Sequence, residues 1–172
     1  MTTDEGAVRY AQPAGPFDPA AVTWTPVSPR LAGARCTAIA LTLLVPLAAT
    51  VLVAVLTAPW VWVFPAALVA LLLWALWLVP RQVRALQYAE RDDDLLIRRG
   101  ILFRQLVVVP YGRMQYVDVS AGPLARRFGI ASVQLHTASV GTNASIDGLP
   151  PQEAARLRDR LASRGEARLA GL

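Results

Sequence analysis

The chain contains no lysine: all 17 of its basic residues are arginine, a bias of genome composition before it is one of function. Cysteine is represented by Cys36 alone, which excludes an intrachain disulfide and suits a reducing compartment. His136 is the single histidine. A metal centre needs further nitrogen, sulfur or carboxylate ligands at suitable spacing, and none accompanies it. The same scarcity argues against a Ser-His-Asp triad, and neither a Gly-x-Ser-x-Gly elbow nor a glycine-rich phosphate loop is present. Asp92-Asp93-Asp94 is best read as a solvated turn, because adjacent carboxylates in a tight turn rarely converge on one cation. No basic stripe is interleaved with aromatic residues, so nucleic acid is not an expected partner. These absences together predict a chain that is not an enzyme and carries no cofactor.

The most consequential absence is of charge. From Cys36 to Pro80 there is no Asp, Glu, Lys, Arg or His. Thr57-Ala58-Pro59 interrupts the run near its middle, which predicts two membrane helices, 36–57 and 60–79, in a tight hairpin. The first spans about 33 Å at about 1.5 Å per residue, enough for a hydrocarbon core of about 30 Å. A buried soluble hairpin would leave too little chain to wrap it. A signal peptide would leave the second run uncleaved. Arg30 and Arg35 precede the hairpin, Arg81 and Arg84 follow it, and the turn carries no charge. The positive-inside tendency then predicts a multi-pass protein of the cell (inner or plasma) membrane with both termini cytoplasmic. Trp60 and Trp62 fall at the outer interface, Trp74 and Trp77 towards the inner one.

What is present outside the hairpin divides into three. Residues 1–29 hold five prolines and few large apolar side chains, which predicts a disordered tail. Residues 81–172 carry 14 Arg against 9 acids, so the whole formal charge of +5 lies there, beside a leaflet that attracts it. Within 85–164, short β-like segments are expected at 85–90, 95–99, 101–109, 115–120, 130–138 and 144–149, with a helical turn or loop over 122–129. A final helix opens at Pro150-Pro151, with Ala154, Leu157 and Leu161 on one stripe. Residues 165–172 are read as a tail.

Leu95-Leu96-Ile97-Arg98-Arg99-Gly100, then Val109-Pro110-Tyr111-Gly112-Arg113-Met114-Gln115, then Gly122-Pro123-Leu124-Ala125-Arg126-Arg127-Phe128-Gly129 and His136-Thr137-Ala138-Ser139, follow one another in an order that carries a resemblance. The chain resembles the bacterial pleckstrin-homology-like (PH-like), membrane-flanked, YdbS-like family over roughly residues 24–163. The resemblance implies a small α+β barrel of antiparallel strands capped by a C-terminal helix. It also implies a non-enzymatic role at the membrane, alongside a larger membrane protein with tandem PH-like domains. In that setting Gly100, Arg113, Met114, Gln115, Pro123, Leu124, Phe128 and Gly129 are expected to be structural, with Phe128 plugging the barrel mouth. Arg99, Arg104, Arg126 and Arg127 are the candidates to gather at the barrel rim and face lipid or a partner, since guanidinium groups suit phosphate. Two functions follow as expectations. One is an interaction module at the cytoplasmic face that binds a membrane protein, anionic lipid headgroups, or both. The alternative is an accessory subunit of a transporter or enzyme complex that docks through its hairpin, for which Ala40, Ala48, Ala49 and Ala54 offer close helix approach.

Overall fold

The computed structural model describes residues 22–137 and 144–170. Most of the expected tail and the end of the strand expected at 130–138, with Ala138 and Ser139, lie outside them. A strand of two residues, β1 (Thr25–Pro26), leads into helix α1 (Arg30–Leu56). A short 3-10 turn at Pro59–Trp62 reverses the chain into α2 (Val63–Arg84). Four strands, a helical turn, two further strands and a last helix follow. They are β2 (Gln87–Glu90), β3 (Asp94–Arg99), β4 (Gln105–Pro110), β5 (Met114–Ser120), α3 (Pro123–Arg127), β6 (Ala131–Thr137), β7 (Ala144–Leu149) and α4 (Pro151–Ala170). All strand pairs are antiparallel and form two sheets, β1-β2-β3-β4 and β5-β6-β7.

The two apolar helices keep most of their surface exposed; Val45, Leu52, Leu56, Leu73 and Trp74 are each more than half open. In water that surface would be strongly unfavourable, whereas in lipid it is matched to its solvent. The hydroxyls agree with that setting. Those of Thr37, Thr42, Thr50 and Thr57 donate to the carbonyls of Gly33, Ala38, Pro46 and Val53 one turn back, so none needs water.

The sheets bury the expected faces. In β6, Ala131, Val133 and Leu135 are buried while Gln134 is open. In α4, Ala154, Leu157 and Leu161 have no exposed surface, and the stripe closes over β5, β6 and the turn at Tyr111–Arg113. Arginines beside the stripe tie the helix down. Arg156 and Arg160 reach Glu90 at 3.1 and 3.3 Å, and Arg164 donates to the Tyr111 hydroxyl at 3.1 Å.

Three readings need correction. Residues 22–29 do not belong to a disordered tail. Thr25 and Pro26 pair with Tyr88 and Gln87, the Ser28 amide donates to the Gly148 carbonyl at 2.9 Å, and Val27 is buried. A two-residue edge strand shows no periodicity, and proline is tolerated at such an edge. Residues 101–104 are the β3–β4 connection and not strand, because Gly100 turns the chain at φ +95 so tightly that a Cβ there would meet the Phe103 carbonyl oxygen at 1.9 Å. The final helix continues through 165–170.

The hairpin and the sheets share one core. Leu31 and Ala34 from the first turns of α1, and Val79 and Val83 from the last turns of α2, pack with Leu95, Val133, Ile146 and Leu149. A boundary at 84/85 therefore cuts through packed side chains. Phe128 also differs from expectation: its ring lies against Gly33, where a Cβ would come within 3.0 Å, so it seals the seam between α1 and the domain.

Glu153 gives the fold a pH dependence. The bond from Arg156, at 2.9 Å, and then the Tyr88 hydroxyl, at 3.0 Å, hold its carboxyl below the ordinary value of 4.5, against the opposing effect of burial. A depressed folded value means that the stabilisation is present above 4.5 and is lost as the pH falls through the folded value. Glu153→Gln is expected to cost about 0.5–1 kcal/mol at neutral pH. In denaturation curves taken at decreasing pH, that difference should vanish below the ordinary carboxylate range.

Candidate membrane-facing site

Helix geometry sets the levels. From Trp62 to Arg81, α2 rises about 28 Å at about 1.5 Å per residue, close to the thickness of a hydrocarbon core. Arg81 therefore stands at the opposite end of the apolar helix from the hairpin turn. Its guanidinium lies 3.3 Å from the centre of the Trp77 ring, a stacked cation over an amphipathic anchor. Arg35 stands on α1 beside the same groove, where it pairs with Asp147 of β7 at 3.0 Å.

The pairing has a local cause. The β6–β7 register slips between Ala131 and Ser132 of β6, leaving Gly148 of β7 as an extra residue at φ +81. The bulge admits Leu31 where a Cβ would stand, at 2.7 Å from the Leu31 Cβ. One turn later on the same helix face, Arg35 meets Asp147.

A groove of about 780 Å³ opens at this level between α2 and the β3–β4 connection. Arg35, Arg81 and Arg99 line it with Trp77 and with Ile101, Leu102 and Phe103. Arg99, at the end of β3, donates from Nε to Gln105 at 3.1 Å and keeps its outer nitrogens available. Leu102 and Phe103 are each 85% exposed, more than any other large apolar side chain described. One carboxylate, Asp147, faces the three guanidinium groups.

The arginines expected to gather do not all do so. Arg99 enters the groove. Arg104 is exposed on the adjoining connection, but it is not among the groove's lining residues. Arg126 and Arg127 lie exposed on α3, where Arg126 lines a separate hollow of about 300 Å³. Among the membrane-flanking residues, Arg35 and Arg81 line the groove; Arg30 lies over Gly129, and Arg84 is exposed at the end of α2. Met114 is buried, Arg113 and Gln115 are exposed, Pro123 opens α3 and Leu124 is half-buried. His136 stacks on Tyr116 at 4.2 Å, and among the described residues no three potential ligands form a metal cluster. The sequence pattern does not single out Ile101-Leu102-Phe103, three apolar residues between Gly100 and Arg104 that fall within the expected strand 101–109.

The profile of the bacterial PH domain family matches residues 27–165. The UPF0699 transmembrane protein YdbS of Bacillus subtilis (strain 168) is 39% identical over 75 residues, which cover 44% of this chain and 46% of that protein. The chain thus spans less than half the length of this curated relative. No solved structure matches. The family match begins at the buried Val27 ahead of α1, takes in both apolar helices and strands β2 to β7, and ends within α4. This membrane protein belongs to the bacterial PH domain family.

Proposed function

We propose that the chain is a non-catalytic interaction module of the cell membrane, in which a two-pass hairpin holds the PH-like domain at the cytoplasmic face for a membrane-protein partner. The observation that carries this reading is the shared core. Leu31, Ala34, Val79 and Val83 belong at once to the ends of the helices and to the domain, so the domain cannot swing away from the bilayer without losing buried surface. Arg30, Arg35, Arg81 and Arg84 all stand at the domain end of the hairpin, and the turn has no charge. That asymmetry supports cytoplasmic termini. A partner of the kind that the family resemblance implies, a larger membrane protein with tandem PH-like domains, would approach along the leaflet. Of the small residues on α1, Ala40, Ala48 and Ala49 remain exposed, whereas Ala54 is buried. This leaves room for a partner helix against α1.

Cysteine labelling tests the placement. In a Cys36→Ala background, Asp159→Cys on the exposed face of α4 should react with a membrane-impermeant maleimide only after the cells are opened. Thr57→Cys at the hairpin turn should react in intact cells. Labelling of Asp159→Cys in intact cells would overturn the orientation.

A further inference from the structure

The groove between α2 and the β3–β4 connection combines an apolar floor, a cationic rim and an exposed apolar wall. Its floor is apolar and continues onto the lipid-exposed face of α2 at Trp77. Its rim carries Arg35, Arg81 and Arg99 against Asp147 alone, so it keeps an excess of positive charge. Its outer wall is a connection whose Leu102 and Phe103 stand almost wholly open. Large side chains exposed to that degree on a tight turn mark a contact surface, and here they lie at the depth of the interfacial tryptophan.

We propose that this groove binds one anionic phospholipid from the adjoining leaflet. Arg81 and Arg99 take its phosphate, and Leu102 and Phe103 enter the leaflet beside its acyl chains. The charge excess selects an anionic headgroup over a zwitterionic one. The apolar wall selects a lipid over a free phosphate ester, which would leave Leu102 and Phe103 in water. Arg35 contributes less, because Asp147 already accepts from it. Gly100 holds the wall in position, since no other residue fits its φ of +95 beneath the Phe103 carbonyl. The proposal rests on the reading of the chain as a membrane-anchored module and adds to it a ligand and the residues that hold it.

Native mass spectrometry of the full-length protein, released from detergent with equal amounts of phosphatidylglycerol and phosphatidylcholine, reads the selection directly. Wild-type protein should retain phosphatidylglycerol about thirtyfold over phosphatidylcholine, the ratio expected when two arginines each favour the net negative headgroup by about 1 kcal/mol. The double variant Arg81→Gln/Arg99→Gln should bring the ratio below about twofold, and Arg158→Gln on α4 should leave it unchanged. Leu102→Ser/Phe103→Ser should lower the retention of both lipids. Excess glycerol phosphate should displace neither. Equal retention of the two lipids by wild-type protein, selection that survives in the arginine double variant, or displacement by glycerol phosphate would each overturn the proposal. The thermal transition of each variant, unchanged from wild type, confirms that the fold is intact. The measurement does not depend on which side of the membrane the domain occupies, so its outcome and that of the maleimide experiment stand independently.

Discussion

Replacing Gly148 with alanine will destabilise the full-length protein by about 2–5 kcal/mol. Two separate costs add. Gly148 has φ +81, a region that costs an L-residue about 1–2 kcal/mol. The new methyl group would also stand 2.7 Å from the Leu31 Cβ and 2.8 Å from its Cδ2. Leu31 is itself buried at the base of a membrane helix and cannot retreat freely, so overpacking adds about 1–3 kcal/mol. The two costs can be separated. In a Leu31→Gly background, which removes the Leu31 Cβ, Cγ and Cδ2 alike, the overpacking disappears, and Gly148→Ala should cost about 1–3 kcal/mol less than in wild type. Gly112→Ala serves as a control: nothing lies within 4 Å of its would-be Cβ, so a change within about 0.5 kcal/mol is expected. Urea denaturation in detergent, followed by tryptophan fluorescence, measures all four.

Leu157→Ala will cost about 3 kcal/mol. Leu157 has no exposed surface and lies in the middle of the stripe by which α4 closes over β5 and β6. Its neighbours along the stripe, Ala154 and Leu161, are equally buried, and the Arg156 and Arg160 contacts to Glu90 pin the helix on one side. The site therefore has little freedom to collapse around a cavity, which puts the cost well above the bare transfer energy of the lost carbons. Arg158→Ala, one residue along on the open face, should stay within about 0.5 kcal/mol. A loss below about 1 kcal/mol for Leu157→Ala would mean that α4 is not part of the domain's core.

Much of this architecture was legible because it rests on local pattern. The uncharged run from Cys36 to Pro80, the alternation through Ala131, Val133 and Leu135, and the 154–157–161 stripe are all periodic signals that survive without tertiary information. What the sequence concealed depends on long-range contact. Thr25 and Pro26 form a strand only because Tyr88 and Gln87 lie opposite them. Gly148 inside a strand is an unremarkable residue until Leu31 fills the space beside it. The arginines show the same limit. Their sum was readable and pointed to the membrane, but their dispersal was not: Arg99 and Arg126 line different hollows because they leave the domain on different elements. Ile101-Leu102-Phe103 fits a strand template by sequence, since apolar residues after a glycine satisfy it equally well, and only the turn at Gly100 shows that they project from a connection.

The strongest claim is that hairpin and domain unfold as one unit, with no hinge where α2 gives way to β2. Limited trypsin digestion of the full-length protein in nanodiscs, across a urea series, addresses it at the exposed Arg84. If the core is shared, cleavage after Arg84 will begin at the same urea concentration as cleavage after Arg98 inside β3. Release, without urea, of a folded fragment that begins at Ala85 would contradict it.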